Sequence, residues 1–169
     1  MTKWYTADTH FGHENVIPFC GRPFRSAGHM DTVLIENLWS KVGPDDDLWI
    51  VGDFAFGPKS KEPEYLNMLF GQLPGARKHL IIGNHDLEPT LELPWDSISH
   101  LVEVRDGPKN QAHTLCHYPM ITWHRARKGA MHLFGHVHDQ WLGSCNAVNV
   151  GVDVWGYVPV TIRDIQQRA

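Results

Sequence analysis

Five short apolar runs, each ending in residues of metal-ligand type, constrain this chain more than anything else in its sequence. Asp47-Leu48-Trp49-Ile50-Val51-Gly52 runs into Asp53, Lys3-Trp4-Tyr5-Thr6-Ala7 into Asp8 and His10, and His79-Leu80-Ile81-Ile82-Gly83 into Asn84, His85 and Asp86. Later, His113-Thr114-Leu115-Cys116 leads to His117, and Met131-His132-Leu133-Phe134-Gly135 leads to His136 and His138. Runs of this length read as buried strands, and open α/β sheets gather their ligands at the carboxyl ends of strands, so five tips can converge on one crevice. Histidine is correspondingly abundant, with 12 in 169 residues.

The segments between these runs set the layout. Residues 8–25 carry Gly12, Pro18, Gly21 and Pro23, too broken a pattern for a helix, and form one wall of the crevice. Residues 29–42 place Ile35, Leu38, Trp39 and Val42 at helical spacing, and Leu66, Leu69, Phe70 and Leu73 repeat it with Pro63 in the first turn. Strand, helix, strand, helix, strand predicts parallel pairing through crossovers. Residues 99–105 and 111–116 then read as a hairpin about Asp106-Gly107-Pro108-Lys109-Asn110, and residues 131–134, 146–150 and 158–162 as further strands. The expectation is an α/β fold of two packed mixed sheets flanked by helices, in a single domain over 1–169. A chain of this size buries roughly 70% of its unfolded surface.

Charge and cysteine usage narrow the function. A formal charge of −4 gives no basic footprint for duplex nucleic acid. Cys20, Cys116 and Cys145 make no closed disulfide set, no run reaches the length of a membrane span, and the expected location is cytoplasmic. The sequence sets no oligomeric state.

In extended chain, residues i and i+2 share a face, so Asp8 with His10, and His136 with His138, are each expected to enter one site from a strand. Gly52, Gly83 and Gly135, just before the ligand-type residues, permit sharp turns and close backbone approach.

Taken in order, Asp8-Thr9-His10, Gly52-Asp53, Gly83-Asn84-His85-Asp86, His117 and Gly135-His136-Val137-His138 resemble the motifs of the calcineurin-like metallophosphoesterase superfamily. The resemblance implies an α/β/β/α sandwich and a binuclear centre, with Asp8, His10 and His138 on one ion, Asn84, His117 and His136 on the other, and Asp53 bridging. It implies two divalent ions; oxygen and imidazole donors suit Mn, Fe or Zn, with Mn favoured. Two such ions share and acidify a water that attacks phosphorus. His85 is implied as the non-ligand that faces the leaving group, and Asp86, next in the chain, is expected to orient it by accepting from its other ring nitrogen. His13, Asn15 and Arg22, in the wall after Asp8, are candidate substrate contacts.

His124, Arg125, Arg127 and Lys128 make a basic loop, and Trp123, Trp141 and Trp155 are either packing residues or stacking faces for a base or aryl group. Gly52-Asp53-Phe54-Ala55-Phe56-Gly57 departs from the Gly-Asp-x-x-Asp-Arg-Gly of the protein-phosphatase branch, and Asp86 stands where that branch has Glu. The expected activity is therefore that of the small bacterial or viral phosphodiesterases, on a phosphate ester such as a nucleotide or cyclic nucleotide. A phosphomonoesterase, a nuclease or a non-catalytic scaffold of the same fold are the alternatives.

Overall fold

The computed structural model describes residues 1–168. Its first half is built of β1 (Lys3–Thr6), the single turn α1 (Val16–Phe19), α2 (Ala27–Trp39), β2 (Asp47–Val51), α3 (Pro63–Gly71), β3 (Arg77–Ile81), the short α4 (Glu88–Leu91) and β4 (Ser97–Ser99). The second half is β5 (Leu101–Asp106), β6 (Gln111–Cys116), β7 (His132–Phe134), β8 (Gly143–Ser144), β9 (Ala147–Asn149) and α5 (Ile162–Arg168). The first sheet runs β1-β2-β3-β4, parallel throughout, as crossover helices require. The second runs β5-β6-β7-β9-β8, with antiparallel pairs at both edges and parallel β6-β7 and β7-β9 pairs between them.

Strand alternation sorts the core into two layers. On β2, Leu48 and Ile50 join Met30, Leu34 and Leu38 of α2 and Leu66 and Leu69 of α3, while Trp49 and Val51 join Leu115 and Leu133 of the second sheet. The two sheets therefore pack face to face, with α2 and α3 on the outside of the first. The expected two-sheet α/β sandwich is what the chain forms. Over the outer face of the second sheet lie aromatic side chains from loops: Trp123 covers His132, and Trp141 stacks on Phe134.

Two local expectations change. Residues 8–25 contain one helical turn, α1. Residues 158–162 form no strand; Val160 makes only an isolated bridge to Tyr5, and α5 begins at Ile162. The cause is a reciprocal cap: the Thr161 amide donates to the Asp164 carboxylate at 2.8 Å, and the Asp164 amide to the Thr161 hydroxyl at 3.1 Å. That Thr-x-x-Asp signal outweighs the β-branched residues before it. No described helix is long and apolar enough to cross a membrane.

Candidate metal centre

Because β1, β2 and β3 are parallel, their carboxyl ends share one edge, and the loops beyond them stay zipped. The Asp8 amide donates to Gly52 O (3.0 Å), His10 to Asp53 O (3.0 Å) and Phe11 to Phe54 O (2.9 Å). From the other sheet, the Gly135 amide donates to His117 O at 3.0 Å. The two sheets thus bring Asp8, His10, Asp53, Asn84, His117, His136 and His138 together.

The paired residues are not presented by strand alternation. Asp8, His10, Asp53, His136 and His138 all have left-handed backbones, with φ of 57°, 50°, 55°, 71° and 48°. Left-handed conformations are strained for such residues and persist only where surrounding contacts hold them. The i, i+2 pairs converge because kinked loops beyond the strand ends turn both side chains inward.

Close approach explains two of the glycines. Gly52 has φ +89°, and a methyl group there would strike the His117 ring. One on Gly135 would sit 2.7 Å from Oδ2 of Asp8.

The polar atoms then meet in two groups around Asp53. Its Oδ2 lies 3.5 Å from Nε2 of His10 and 3.5 Å from Nε2 of His117, while Oδ1 accepts from the His85 amide at 2.9 Å. On one side, donor atoms of Asp8, His10 and His138 lie within 4.8 Å of one another. On the other, Oδ1 of Asn84 is 3.1 Å from Nε2 of His117 and 2.8 Å from Nδ1 of His136. The Asp8 carboxylate is itself fixed by the His136 amide at 2.9 Å. The ring of His117 is set from behind: its Nδ1–H donates to Val51 O at 2.9 Å, which directs Nε2 at Asp53.

The electrostatics fit a cation. Nε2 of His10 is buried with no hydrogen-bond partner, and burial pushes that imidazole down to about 3, so it stays neutral with a free lone pair. Burial pushes the Asp8 carboxyl up to about 6, against the pull of His117 and His138. Burial also opposes charge on Asp53 and His117. The bond and attraction between them outweigh it, lowering Asp53 and raising His117. A divalent cation would replace the His117 proton as the partner of Asp53. These Asp and His clusters could hold metal ions.

Behind the site lies a brace that carries no local sequence signal. Asp153 accepts Nε and Nη2 of Arg22 at 2.7 and 2.8 Å and Nδ1 of His138 at 2.7 Å. Arg22 also donates to Asp8 O (2.8 Å) and Thr9 O (3.2 Å). A carboxylate behind an imidazole orients it and leaves the other nitrogen for a ligand. Cys20 lies near His138 and Asp153, but burial and then Asp153 push its thiol up to about 11, so it stays a thiol. Asp153→Ala leaves a buried guanidinium unpaired and is expected to cost about 3–5 kcal/mol in urea unfolding. A loss below about 1 kcal/mol, the worth of an exposed pair, would contradict a buried brace.

Three sequence expectations are corrected here. Arg22 is buried and fully engaged by Asp153 and two carbonyls, so it braces the site and does not reach substrate. Asp86 does not orient His85: its oxygens accept from the amides of Asp53 (2.9 Å), Gly83 (2.8 Å) and Phe54 (2.8 Å), clamping the β2 and β3 tips together. Asn15 is exposed at the start of α1, and its side chain makes no hydrogen bond among the described residues, to the helix end or to the site.

His85 and His13 do border the centre. The His85 ring lies 5.4 Å from His10 and 4.0 Å from Phe56, and its nitrogens make no hydrogen bond among the described residues. His13 is half-buried, with Nδ1 3.4 Å from Nδ1 of His10.

The chain is 32% identical over 181 residues to the Gene 66 protein of Mycobacterium phage D29, covering 90% of this chain and 88% of the phage protein. The chain belongs to the family of that phage protein. A crystal structure of AQ665 from Aquifex aeolicus, a protein of unknown function, matches with a TM-score of 0.72 at 28% identity over 99% of both chains. The Pseudomonas putida nuclease MPE matches with a TM-score of 0.50 at 20% identity, over 80% of this chain and 61% of that one, a likeness of fold alone. No protein-family model matches the chain.

Proposed function

We propose that the chain is a metal-dependent phosphodiesterase of the calcineurin-like metallophosphoesterase type. The observation that carries this reading is the position of Asp53, one oxygen of which stands 3.5 Å from an imidazole nitrogen of each group. Asp8, His10 and His138 would hold one ion, Asn84, His117 and His136 a second, and Asp53 both, with Mn the first ion to supply. When bound, such a pair supplies Lewis-acid charge to a phosphoryl group and an acidified water at neutral pH.

The chain's own residues do the rest. Arg22 and Asp153 hold His138 in line, Asp86 locks the Asp53 loop, and Phe56 packs against His85. His85, whose ring nitrogens make no hydrogen bond among the described residues, would give a proton to the departing oxygen. His13 packs on the same Phe56 ring as His85 and would meet a phosphoryl oxygen.

A diester fits better than a monoester. The second negative charge of a monoester calls for a free guanidinium or ammonium. Arg22 is committed elsewhere, and Arg125, Arg127 and Lys128 sit on an exposed turn of the outer loop. The Pseudomonas putida fold neighbour is a nuclease, which makes a nucleic-acid diester a natural second substrate to assay.

The test is hydrolysis of bis(p-nitrophenyl) phosphate and p-nitrophenyl phosphate with Mn²⁺ and with EDTA. The expected result is a higher kcat/KM for the diester and no turnover in EDTA. A monoester preferred tenfold, about 1.4 kcal/mol, would assign a phosphomonoesterase. Absence of activity on both would leave a scaffold.

A further inference from the structure

We infer that the cleft on the outer face of the second sheet binds single-stranded nucleic acid and feeds it to the metal centre. This rests on the phosphodiesterase reading. The cleft has a volume of about 560 Å³, and Ile121, Trp123, Arg127, Trp141, Ser144 and Asn146 are among its lining residues.

Its position is the first argument. The segment that leaves the site at His117 continues through Tyr118 to Ile121 and Trp123, and the segment that leaves at His138 continues to Trp141. Both segments line the cleft, with Trp123 against His132 and Trp141 on Phe134, so the cleft follows β7, whose carboxyl end leads into His136. Tyr118 marks the junction: its ring is 4.7 Å from that of His136, and it is 46% exposed.

Its chemistry is the second. Trp141 stacks on buried Phe134 at 5.1 Å and 22° and is 40% exposed. It is therefore a ring held rigid from behind, with surface left over for a base. The Trp123 indole is pinned by its bond to Ala130 O at 2.8 Å, and Asn146 ties the loop by donating to Ala126 O and Ala130 O at 2.9 and 2.8 Å. Among the described residues no acidic one lines the cleft, while Arg127 does, in a chain whose formal charge is −4. A cation beside fixed aromatic faces is the pairing that holds unpaired bases and their phosphates. A duplex hides its base faces and cannot use it.

The experiment measures fluorescence anisotropy of a labelled single-stranded oligothymidylate with the full chain in EDTA, so that no substrate is consumed. Trp141→Ala should weaken binding about 5- to 150-fold, the range for losing one stacked base. Arg127→Ala should weaken it and flatten the slope of log affinity against log salt by about 0.7, one phosphate contact. Both variants should hydrolyse bis(p-nitrophenyl) phosphate like the parent, which also shows that they fold; if Trp141→Ala misfolds, Arg127→Ala decides alone. Unchanged binding in the folded variants, or equal binding of the duplex, overturns the inference. If the parent fails to bind the oligonucleotide yet cleaves the aryl diester, the cleft assignment falls and the phosphodiesterase reading stands. If it cleaves no diester, that reading falls as well.

Discussion

Asp53→Asn is expected to lower kcat/KM on a diester by about 10³-fold or more, some 4 kcal/mol of transition-state stabilisation. The amide keeps the shape of the carboxylate and can still accept the His85 amide through Oδ1. It loses the charge that stands between the His10 and His117 imidazoles. With that charge gone, the carboxylate that stands between the two clusters no longer attracts either cation. Metal content per chain should fall together with activity, while the circular dichroism spectrum stays native. A variant that keeps both its metal and its turnover would show that Asp53 is not the shared ligand.

His85→Ala should do the opposite to metal content. His85 reaches Asp53 through its backbone amide, and alanine retains that amide, so both clusters keep their donors. The ring, packed 4.0 Å from Phe56 with free nitrogens, is what the variant removes. If the ring protonates the leaving oxygen, kcat should drop by about 10²–10⁴-fold, the usual worth of a placed general acid. The drop should be smaller for an aryl diester than for an alkyl diester, because nitrophenolate departs with little help from a proton. Equal losses on the two substrates would instead make His85 a phosphate-positioning residue.

The residues that converge were legible in the sequence because each sits just after an apolar run, and parallel strands put those ends on one edge. Residues 111–116 show the same economy: the apolar pattern and the turn before it mark β6 to the residue. What the sequence hid was longer in range. Asp153 follows β9 and meets Arg22 across 131 positions, so nothing near either residue marks the pair. Asp86 belongs to a ligand-type cluster by composition, yet three backbone amides claim it once the β2 and β3 tips fold together. The left-handed φ values of Asp8, His10, His136 and His138 were equally invisible, since alternation alone suggests an extended strand. For α5, the Thr161 and Asp164 cap was present in the sequence, but the β-branched residues before it pointed to a strand.

The most direct test of the central claim, that these seven side chains form one two-ion centre, is calorimetric titration of EDTA-stripped protein with Mn²⁺. The account predicts two equivalents bound per chain, with the second lost in Asn84→Ala and the first retained. A single equivalent in the parent protein, or none, would contradict it.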